Sequence, residues 1–216
     1  GSEGYIGNSV TKKLYENGIE FTRFSLSLGN DIRDPNQLSY YNDFDTIIHL
    51  AFKRGSFLTN VGGTSNIVNL CQSKGVRLLF ASSIAVVGEP NGEIKENSKL
   101  SPINDYGRSK LINELEIQIK LKNFVIFRIT NVFGNGDKKN VTNLIKNLED
   151  NKKFKIHGSG KQKRDFIHKD DVATIFVNAL LNKRIRGVIN AASGNSLSVV
   201  NLLELFNVPK KQWNTI

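Results

Sequence analysis

The chain has 216 residues, of which 39% are hydrophobic, so it can bury a sizeable core and is expected to form one domain with, at most, a small second lobe. Its net charge of +10 comes from scattered lysines, without the basic runs interleaved with aromatic residues that are typical of nucleic-acid-binding surfaces. The single cysteine, Cys71, excludes an internal disulfide framework. No signal peptide is evident, and no apolar segment reaches the ~20 residues that span a bilayer. We therefore expect a cytoplasmic protein with neither a membrane nor a nucleic-acid partner.

A glycine-rich stretch, Gly1-Ser-Glu-Gly4-Tyr-Ile-Gly7, opens the chain and is followed by a helical pattern that ends at Gly18. Glycines at such a turn let the backbone approach a pyrophosphate, which then rests on the N-terminus of the helix. A dinucleotide fingerprint also has a strand before its glycines, and here only the helix is present. The pattern therefore predicts a dinucleotide site without its first strand, and a glycine-rich terminus without this function is the alternative.

Strand-like and helical patterns alternate along the rest of the chain, which indicates a parallel sheet covered by helices. Residues 20–25 are predicted to form a strand, but no acidic residue ends it to bind the ribose of NAD, so the choice between NAD and NADP stays open. His49 is interpreted as a packed strand residue, and with His157 and His168 it is too dispersed to propose a metal site. Further strands are predicted at 44–50, 78–81, 123–128 and 188–192, and helices at 64–73 and 106–121.

Ser83, Tyr106 and Lys110 are the candidate catalytic residues. Tyr106 and Lys110 are spaced i, i+4 at the start of a predicted helix, so their side chains lie on one face about one turn apart. Because a nearby ammonium favours the phenolate, we expect Lys110 to lower the pKa of Tyr106 from its usual ~10 and make it an acid/base. Ser83 follows the run 78–81, and substrates bind at the carboxyl ends of such strands. Taken alone, a YxxxK pair is more often the solvated face of a helix.

The segments SSIAVVG, which contains Ser83, and YGRSK, which contains Tyr106 and Lys110, together resemble the catalytic triad of the extended short-chain dehydrogenase/reductase family. The NAD-dependent epimerases and dehydratases of that family act on nucleotide sugars. Val87 stands where the family often has an aromatic residue. The segments GSEGYIG, HLAF, NVGGT, ITNVFG and GSGKQKRDFIHKDD resemble further motifs of the family, so the resemblance spans nearly the whole chain, which looks trimmed at both ends.

The resemblance implies an α/β fold with a Rossmann-like doubly wound parallel sheet and a small C-terminal substrate-binding lobe. It places an NAD(P)-binding domain without its first strand at residues 1–135, with part of 165–192 returning to it. A partial substrate-binding lobe would comprise 136–164 and 193–216. The family commonly pairs the two helices at 64–73 and 106–121 across a two-fold axis, which implies a homodimer.

The resemblance also implies NAD as the cofactor, with NADP not excluded, and a nucleotide sugar as the substrate. Asp31 would flank the adenine, or alternatively cap a short helix, and Arg164 would bind the substrate diphosphate, or alternatively pair with Asp165 or Asp171. The implied substrate-binding residues are Ser83, Asn131 and Arg164, and no metal is implied. The implied cofactor-binding residues are Gly1, Gly4, Tyr5, Ile6, Gly7, Asp31, Ile32, Leu50, Ala51, Phe52, Asn60, Tyr106 and Lys110.

Together these residues favour C4 epimerisation of a nucleotide sugar by transient hydride transfer, with Tyr106 as the acid/base. A 4,6-dehydratase is disfavoured because Ile84 and Ala85 stand where those enzymes carry an Asp-Glu pair. The alternatives are an NADPH-dependent reductase of a keto sugar or other ketone, and a non-catalytic dinucleotide-binding protein or inactive fragment.

Overall fold

The structure is a computed structural model that describes residues 1–41, 43–89, 92–136, 154–156, 159–205, 207–209 and 213–215. The chain forms two compact units. Unit 1 comprises Gly1–Ile129 and Asp170–Ala191, and unit 2 comprises Thr130–Lys169 and Ala192–Ile216. We propose that unit 1 binds the cofactor and that unit 2 binds the substrate. His157 lies outside the described residues.

Helices and strands alternate along the described part of the chain. The helices are α1 (Tyr5–Glu16), α2 (Pro35–Ser39), α3 (Phe57–Lys74), α4 (Asp105–Lys120), α5 (Lys169–Leu181) and α6 (Val199–Leu205). The strands are β1 (Thr46–His49), β2 (Arg77–Ser83), β3 (Phe124–Ile129), β4 (Asn131–Phe133), β5 (Phe154–Ile156), β6 (Lys163–His168), β7 (Gly187–Ala191), β8 (Ser196–Ser198) and β9 (Trp213–Thr215).

Unit 1 is built on a parallel sheet in the order β1-β2-β3-β7. All seven residues of β2 are buried, as expected for a central strand that is covered on both faces. Phe80 and Ile126 pack in a cluster with residues of α3 and α4, whereas Phe127, which points to the other face, meets Phe176 of α5 with ring centroids 4.7 Å apart. Helices therefore cover both faces of the sheet, and the predicted Rossmann-like α/β fold is confirmed.

The strand predicted at 20–25 is wrong, because these residues are described and form no strand. The Phe24 carbonyl accepts hydrogen bonds from the Gly1 nitrogen at 2.6 Å and the Ser2 N–H at 3.4 Å. Both bonds end on the same carbonyl, and a strand requires a ladder of alternating donors and acceptors. They nevertheless hold this segment against the glycine-rich stretch.

Helix α3 begins at Phe57, seven residues earlier than predicted, and runs through Gly62 and Gly63. Glycine lowers helix propensity, which favoured the later start. Ile32 supplies the compensating contact, because a Cβ built on Gly63 would lie 2.5 Å from the Ile32 Cδ1 atom. Tertiary packing thus overrides local propensity here.

The described residues of unit 2 form two small sheets. In the first, β6 pairs with β4 in parallel and with β8 antiparallel, and in the second β5 pairs with β9 in parallel. Phe133 at the end of β4 packs edge-on against His168 at the end of β6, with ring centroids 5.2 Å apart. Across the described ranges of both units, no helix is long and apolar enough to cross a membrane.

Candidate active site

Ser83 is the last residue of β2, and its side chain is held by the turn that follows. The Ser83 Oγ atom accepts a hydrogen bond from the Ala85 N–H at 3.2 Å and thereby caps the short 3₁₀ helix Ile84–Val86. The residue is 8% exposed. The predicted position of Ser83 at the carboxyl end of a buried strand is therefore the one observed.

The first turn of helix α4 packs against this same turn. The Asn104 side chain accepts a hydrogen bond from the Gly107 N–H at 2.9 Å and caps the helix. A Cβ on Gly107 would lie 2.5 Å from the Ala85 carbonyl oxygen, so only glycine lets the first turn of α4 approach the turn after Ser83 so closely. This contact brings Tyr106 next to Ser83.

Tyr106 does not have the low pKa that we predicted. Burial of the phenol raises its pKa, while the Ser83 side chain acts in the opposite direction. The expected lowering by Lys110 is absent because its ammonium is directed elsewhere: the Lys110 Nζ atom donates to the Ala81 carbonyl at 2.7 Å. In this structure Tyr106 is therefore a neutral phenol at neutral pH, suited first to donating a proton.

Lys110 lies almost fully buried between aromatic rings. Its Nζ atom is 4.7 Å from the centroid of the Phe80 ring and 5.3 Å from that of Phe52. Burial lowers the Lys110 pKa to about 8, and the negative charge of Glu114 opposes this shift. The ammonium thus remains largely protonated at pH 7.

Phe52 covers the candidate catalytic pair from the segment after β1. Its ring centroid is 4.9 Å from that of Tyr106 in an edge-on arrangement. Asn60 holds this segment, because its side chain accepts from the Lys53 N–H and donates to the Lys53 carbonyl, both at 2.8 Å. The side chain of Asn60, predicted to lie near the nicotinamide, therefore contacts the protein backbone and supports Ala51 and Phe52.

The glycine-rich stretch has the backbone packing that a dinucleotide site requires. A Cβ on Gly1 would lie 2.5 Å from the Ala51 nitrogen, and one on Gly7 would lie 2.2 Å from the Gly1 carbonyl oxygen. Gly4 precedes α1 without a side-chain cap, and the first turn of α1, which includes Tyr5 and Ile6, has no acidic residue. No carboxylate on the first turn therefore competes with an anion for the helix N–H groups, so this stretch fits a pyrophosphate.

Asp31 and Ile32 adopt different roles in the segment between α1 and α2. Asp31 forms an ion pair with Arg33, whose hydrogen bonds lower the Asp31 pKa. The alternative that Asp31 caps a helix is wrong, because Asp34 caps α2 by accepting from the Asn36 N–H at 2.9 Å. Ile32 packs against Gly63 on α3. Leu50 directly follows β1.

The two substrate-binding candidates in unit 2 lie on neighbouring strands, β4 and β6. The Asn131 side chain donates to the Asp165 carbonyl at 2.9 Å. The Asp165 carboxylate accepts from Thr130 and from the N–H and hydroxyl of Ser193. Arg164 is exposed, and among the described residues it forms no ion pair, so the alternative pairings with Asp165 and Asp171 are not observed.

A buried polar network behind the site was missed by sequence reasoning. Glu114, four residues after Lys110 and fully buried, pairs with Arg128 of β3 at 2.8 Å and accepts a hydrogen bond from the Ser82 hydroxyl. Arg128 also donates to the Glu96 carbonyl at 2.8 Å. The i, i+4 spacing of Lys110 and Glu114 indicates that the two side chains lie on one face of a helix, but it does not indicate that this face is buried.

His49 is confirmed as a packed residue. It is 4% exposed, and its Nε2 atom lies 2.9 Å from the Thr64 hydroxyl. Within the described part of the chain, no group of three or more His, Cys, Asp or Glu side chains is arranged to hold a metal ion.

Comparison with protein families gives one match that covers most of the chain. The model of the NAD dependent epimerase/dehydratase family matches residues 1–192. A protein of Methanocaldococcus jannaschii that carries the provisional name UDP-glucose 4-epimerase is 30% identical over 243 residues, covering 95% of this chain and 79% of that protein.

Solved structures give the same fold. The dTDP-glucose 4,6-dehydratase of Bacillus anthracis in complex with NAD matches with a TM-score of 0.88 at 20% identity, covering 100% of this chain and 82% of that chain. The UDP-glucuronic acid 4-epimerase of Bacillus cereus in complex with NAD matches with a TM-score of 0.82 at 25% identity, covering 100% of this chain and 85% of that chain.

Proposed function

Because this chain belongs to the NAD-dependent epimerase/dehydratase family, we propose that it catalyses epimerisation at C4 of a nucleotide sugar. The observation that carries this proposal is the meeting of Ser83, Tyr106 and Lys110 at the carboxyl end of β2. In open α/β sheets, ligands bind outside this end of the strands. The relatives named for UDP-sugar 4-epimerases support the reaction class.

In the proposed reaction, NAD held by the glycine-rich stretch would supply reversible hydride transfer, from C4 of the sugar and back to the opposite face of that carbon. Tyr106 takes the proton of the C4 hydroxyl as the ketone forms and gives it back as the ketone is reduced. Ser83 donates a hydrogen bond to the same oxygen. Net atoms and electrons balance, because the hydride and the proton that leave the sugar both return to it.

The raised pKa of Tyr106 suits the second half of this cycle, in which the phenol would protonate the ketone oxygen. For the first half Tyr106 must first release its own proton to water and act as the phenolate, which a cation close by favours. We assign that role to Lys110, one turn along α4, whose ammonium would have to turn from the Ala81 carbonyl toward the phenol.

The dinucleotide would bind to residues of unit 1. The first turn of α1 with Gly1, Gly4, Tyr5, Ile6 and Gly7 would hold the pyrophosphate, with the backbone of Leu50, Ala51 and Phe52 beside it. Asp31 and Ile32 would flank the adenine. Asn131 and Arg164 would contact the substrate, the guanidinium of Arg164 forming paired hydrogen bonds with its diphosphate.

Two residues of the turn after Ser83 weigh against elimination chemistry. Ile84 and Ala85 form the 3₁₀ turn there and carry no carboxylate. A 4,6-dehydratase needs an acid to drive loss of water from the intermediate ketone. We therefore favour epimerisation over dehydration for this chain.

The replacement Tyr106→Phe tests the proposal. It removes the proton-transfer group and keeps the ring contact with Phe52, so we expect NAD binding within about twofold of the wild type and turnover reduced by roughly 10²–10⁴-fold. Turnover of UDP-, dTDP- and GDP-sugars is followed by chromatography, and NADH is followed by absorbance. Net consumption of a reduced cofactor would identify a reductase instead, and binding without turnover of any sugar by the wild type would favour a non-catalytic protein.

We also propose that the protein forms a homodimer through α3 and α4. These helices pack together, and Ile112, Leu115 and Ile119 form a stripe on the outer face of α4 that is 40%, 47% and 83% exposed in a single chain. A second copy of the same stripe is apolar as well, so a two-fold contact buries both.

A further inference from the structure

The glycine-rich stretch carries a carboxylate, Glu3, that the dinucleotide site described above does not use. The Arg23 guanidinium donates to the Glu3 Oε1 atom at 3.1 Å. The two side chains are 27% and 50% exposed, respectively for Glu3 and Arg23, so both are accessible to a ligand. The backbone beneath them is held by the bonds from Gly1 and Ser2 to the Phe24 carbonyl.

The position of this pair matters because of where the adenosine ribose of a dinucleotide lies. In doubly wound folds the pyrophosphate rests on the glycine turn, and an acidic residue about 20 positions further on accepts the hydroxyls of the ribose. From Phe21 to Asn30 this chain has no Asp or Glu. Ser25 and Ser27 lie there instead, with their hydroxyl oxygens 3.1 Å apart.

We propose that Glu3 supplies this missing carboxylate from the glycine turn, that Arg23 holds it in place, and that the pair selects NAD over NADP. This inference rests on the proposed function only in taking the glycine-rich stretch as the dinucleotide site. It departs from the usual arrangement, in which the carboxylate follows the second strand. The choice between NAD and NADP, which the sequence left open, would then depend on a carboxylate that the fold places beside Arg23 and that does not follow the segment 20–25.

The charges of the pair explain the selection. The Glu3 carboxylate accepts hydrogen bonds from the 2′ and 3′ hydroxyls of NAD and repels the 2′ phosphate of NADP. While Glu3 is present, it neutralises Arg23. Without it, the Arg23 guanidinium and the hydroxyls of Ser25 and Ser27 become donors for a phosphate.

Isothermal titration of the purified chain with NAD and with NADP tests the proposal in four proteins. These are the wild type, Glu3→Gln, Arg23→Gln and the double variant. Glu3→Gln keeps the length of the side chain and removes only its charge, and each exposed replacement is checked by its melting temperature to show that the fold is intact.

The wild type is expected to bind NAD at least tenfold more tightly than NADP. Since a hydrogen bond to a charged group is lost, Glu3→Gln should weaken NAD binding roughly tenfold. It should strengthen NADP binding roughly tenfold, and this gain should shrink as salt screens the freed Arg23. The double variant should lose the gain in NADP binding.

Two results overturn the assignment in distinguishable ways. If the wild type binds NAD and Glu3→Gln leaves the ratio of NAD to NADP affinity unchanged, then Glu3 does not select the cofactor and the proposed function stands. If the wild type binds neither dinucleotide, both the proposed function and the role of Glu3 are wrong.

Discussion

His49 shows how the fold determines the charge of a single buried residue. Thr64 donates its own hydroxyl proton to the Asn60 carbonyl at 2.7 Å, so it can only accept from the His49 ring. The His49 ring therefore carries a proton on Nε2, as inferred from the hydrogen bonds. Burial lowers the His49 pKa to about 3, and the positive charge of Lys110 acts in the same direction.

This burial predicts a loss of stability in acid. Between pH 6.5 and about 3 the unfolded state binds a proton at His49 that the folded state does not, so the free energy of unfolding falls as the pH falls through this window. The contribution has a slope of up to ~1.4 kcal/mol per pH unit. Urea unfolding at several pH values between 4 and 7 should show a shallower slope for His49→Gln, which still donates to Thr64. Equal slopes for the two proteins would contradict the neutral assignment.

Tyr106 marks the limit of sequence reasoning at this scale. Its i, i+4 relation to Lys110 was readable from the chain, and the structure places the two on one helix. The direction of its pKa shift was not readable, because it depends on where the Lys110 ammonium points and on how much water the fold removes. The pairing of Glu3 with Arg23 was likewise not readable from the chain, because the two residues are 20 positions apart.

At the scale of elements, the pair of Glu114 and Arg128 fastens α4 to the sheet. It joins the helix that carries Tyr106 and Lys110 to β3, and the Ser82 hydroxyl extends the network to β2. Both charged side chains are buried, at 0% and 3% exposure. Such pairs are costly to break, because the remaining charge is left unpaired away from water.

We therefore predict that Glu114→Gln lowers the free energy of unfolding by about 3–5 kcal/mol. Replacing both partners, as in Glu114→Gln with Arg128→Met, should cost less than the sum of the two single changes, because no unpaired charge remains. Urea unfolding at pH 7 measures the four proteins of this cycle. Additive losses would show that the two charges are not coupled.

The elements that could be predicted were those with a clear apolar pattern. Strands β1, β2, β3 and β7 and helices α1 and α4 lie within a few residues of the predicted spans. Residues 20–25 have similar strand propensity but lack a neighbouring ladder, and α3 passes through two glycines because Ile32 packs on one of them. These departures come from contacts distant in sequence, which local patterns do not contain.

At the scale of the whole molecule, the outer face of α4 leads to a prediction about assembly. Ile119→Arg should convert the dimer to a monomer, because two additional charges would meet across the two-fold axis. Since Ile119 is 83% exposed in the single chain, the fold itself should be unaffected. Tyr15→Arg, at 80% exposure on α1, is the matched control and should remain dimeric. Sedimentation equilibrium distinguishes these states, and a monomeric wild type would refute the proposed interface.

The central claim is that hydride leaves C4 of a nucleotide sugar and returns to the same carbon in this site. The most direct measurement uses UDP-glucose, UDP-N-acetylglucosamine and UDP-glucuronic acid carrying deuterium at C4, incubated with the chain and NAD. We predict a C4-epimerised product that retains its deuterium, with no net formation of NADH and no product with Tyr106→Phe. Deuterium lost to the solvent, or full turnover by Tyr106→Phe, would contradict the mechanism.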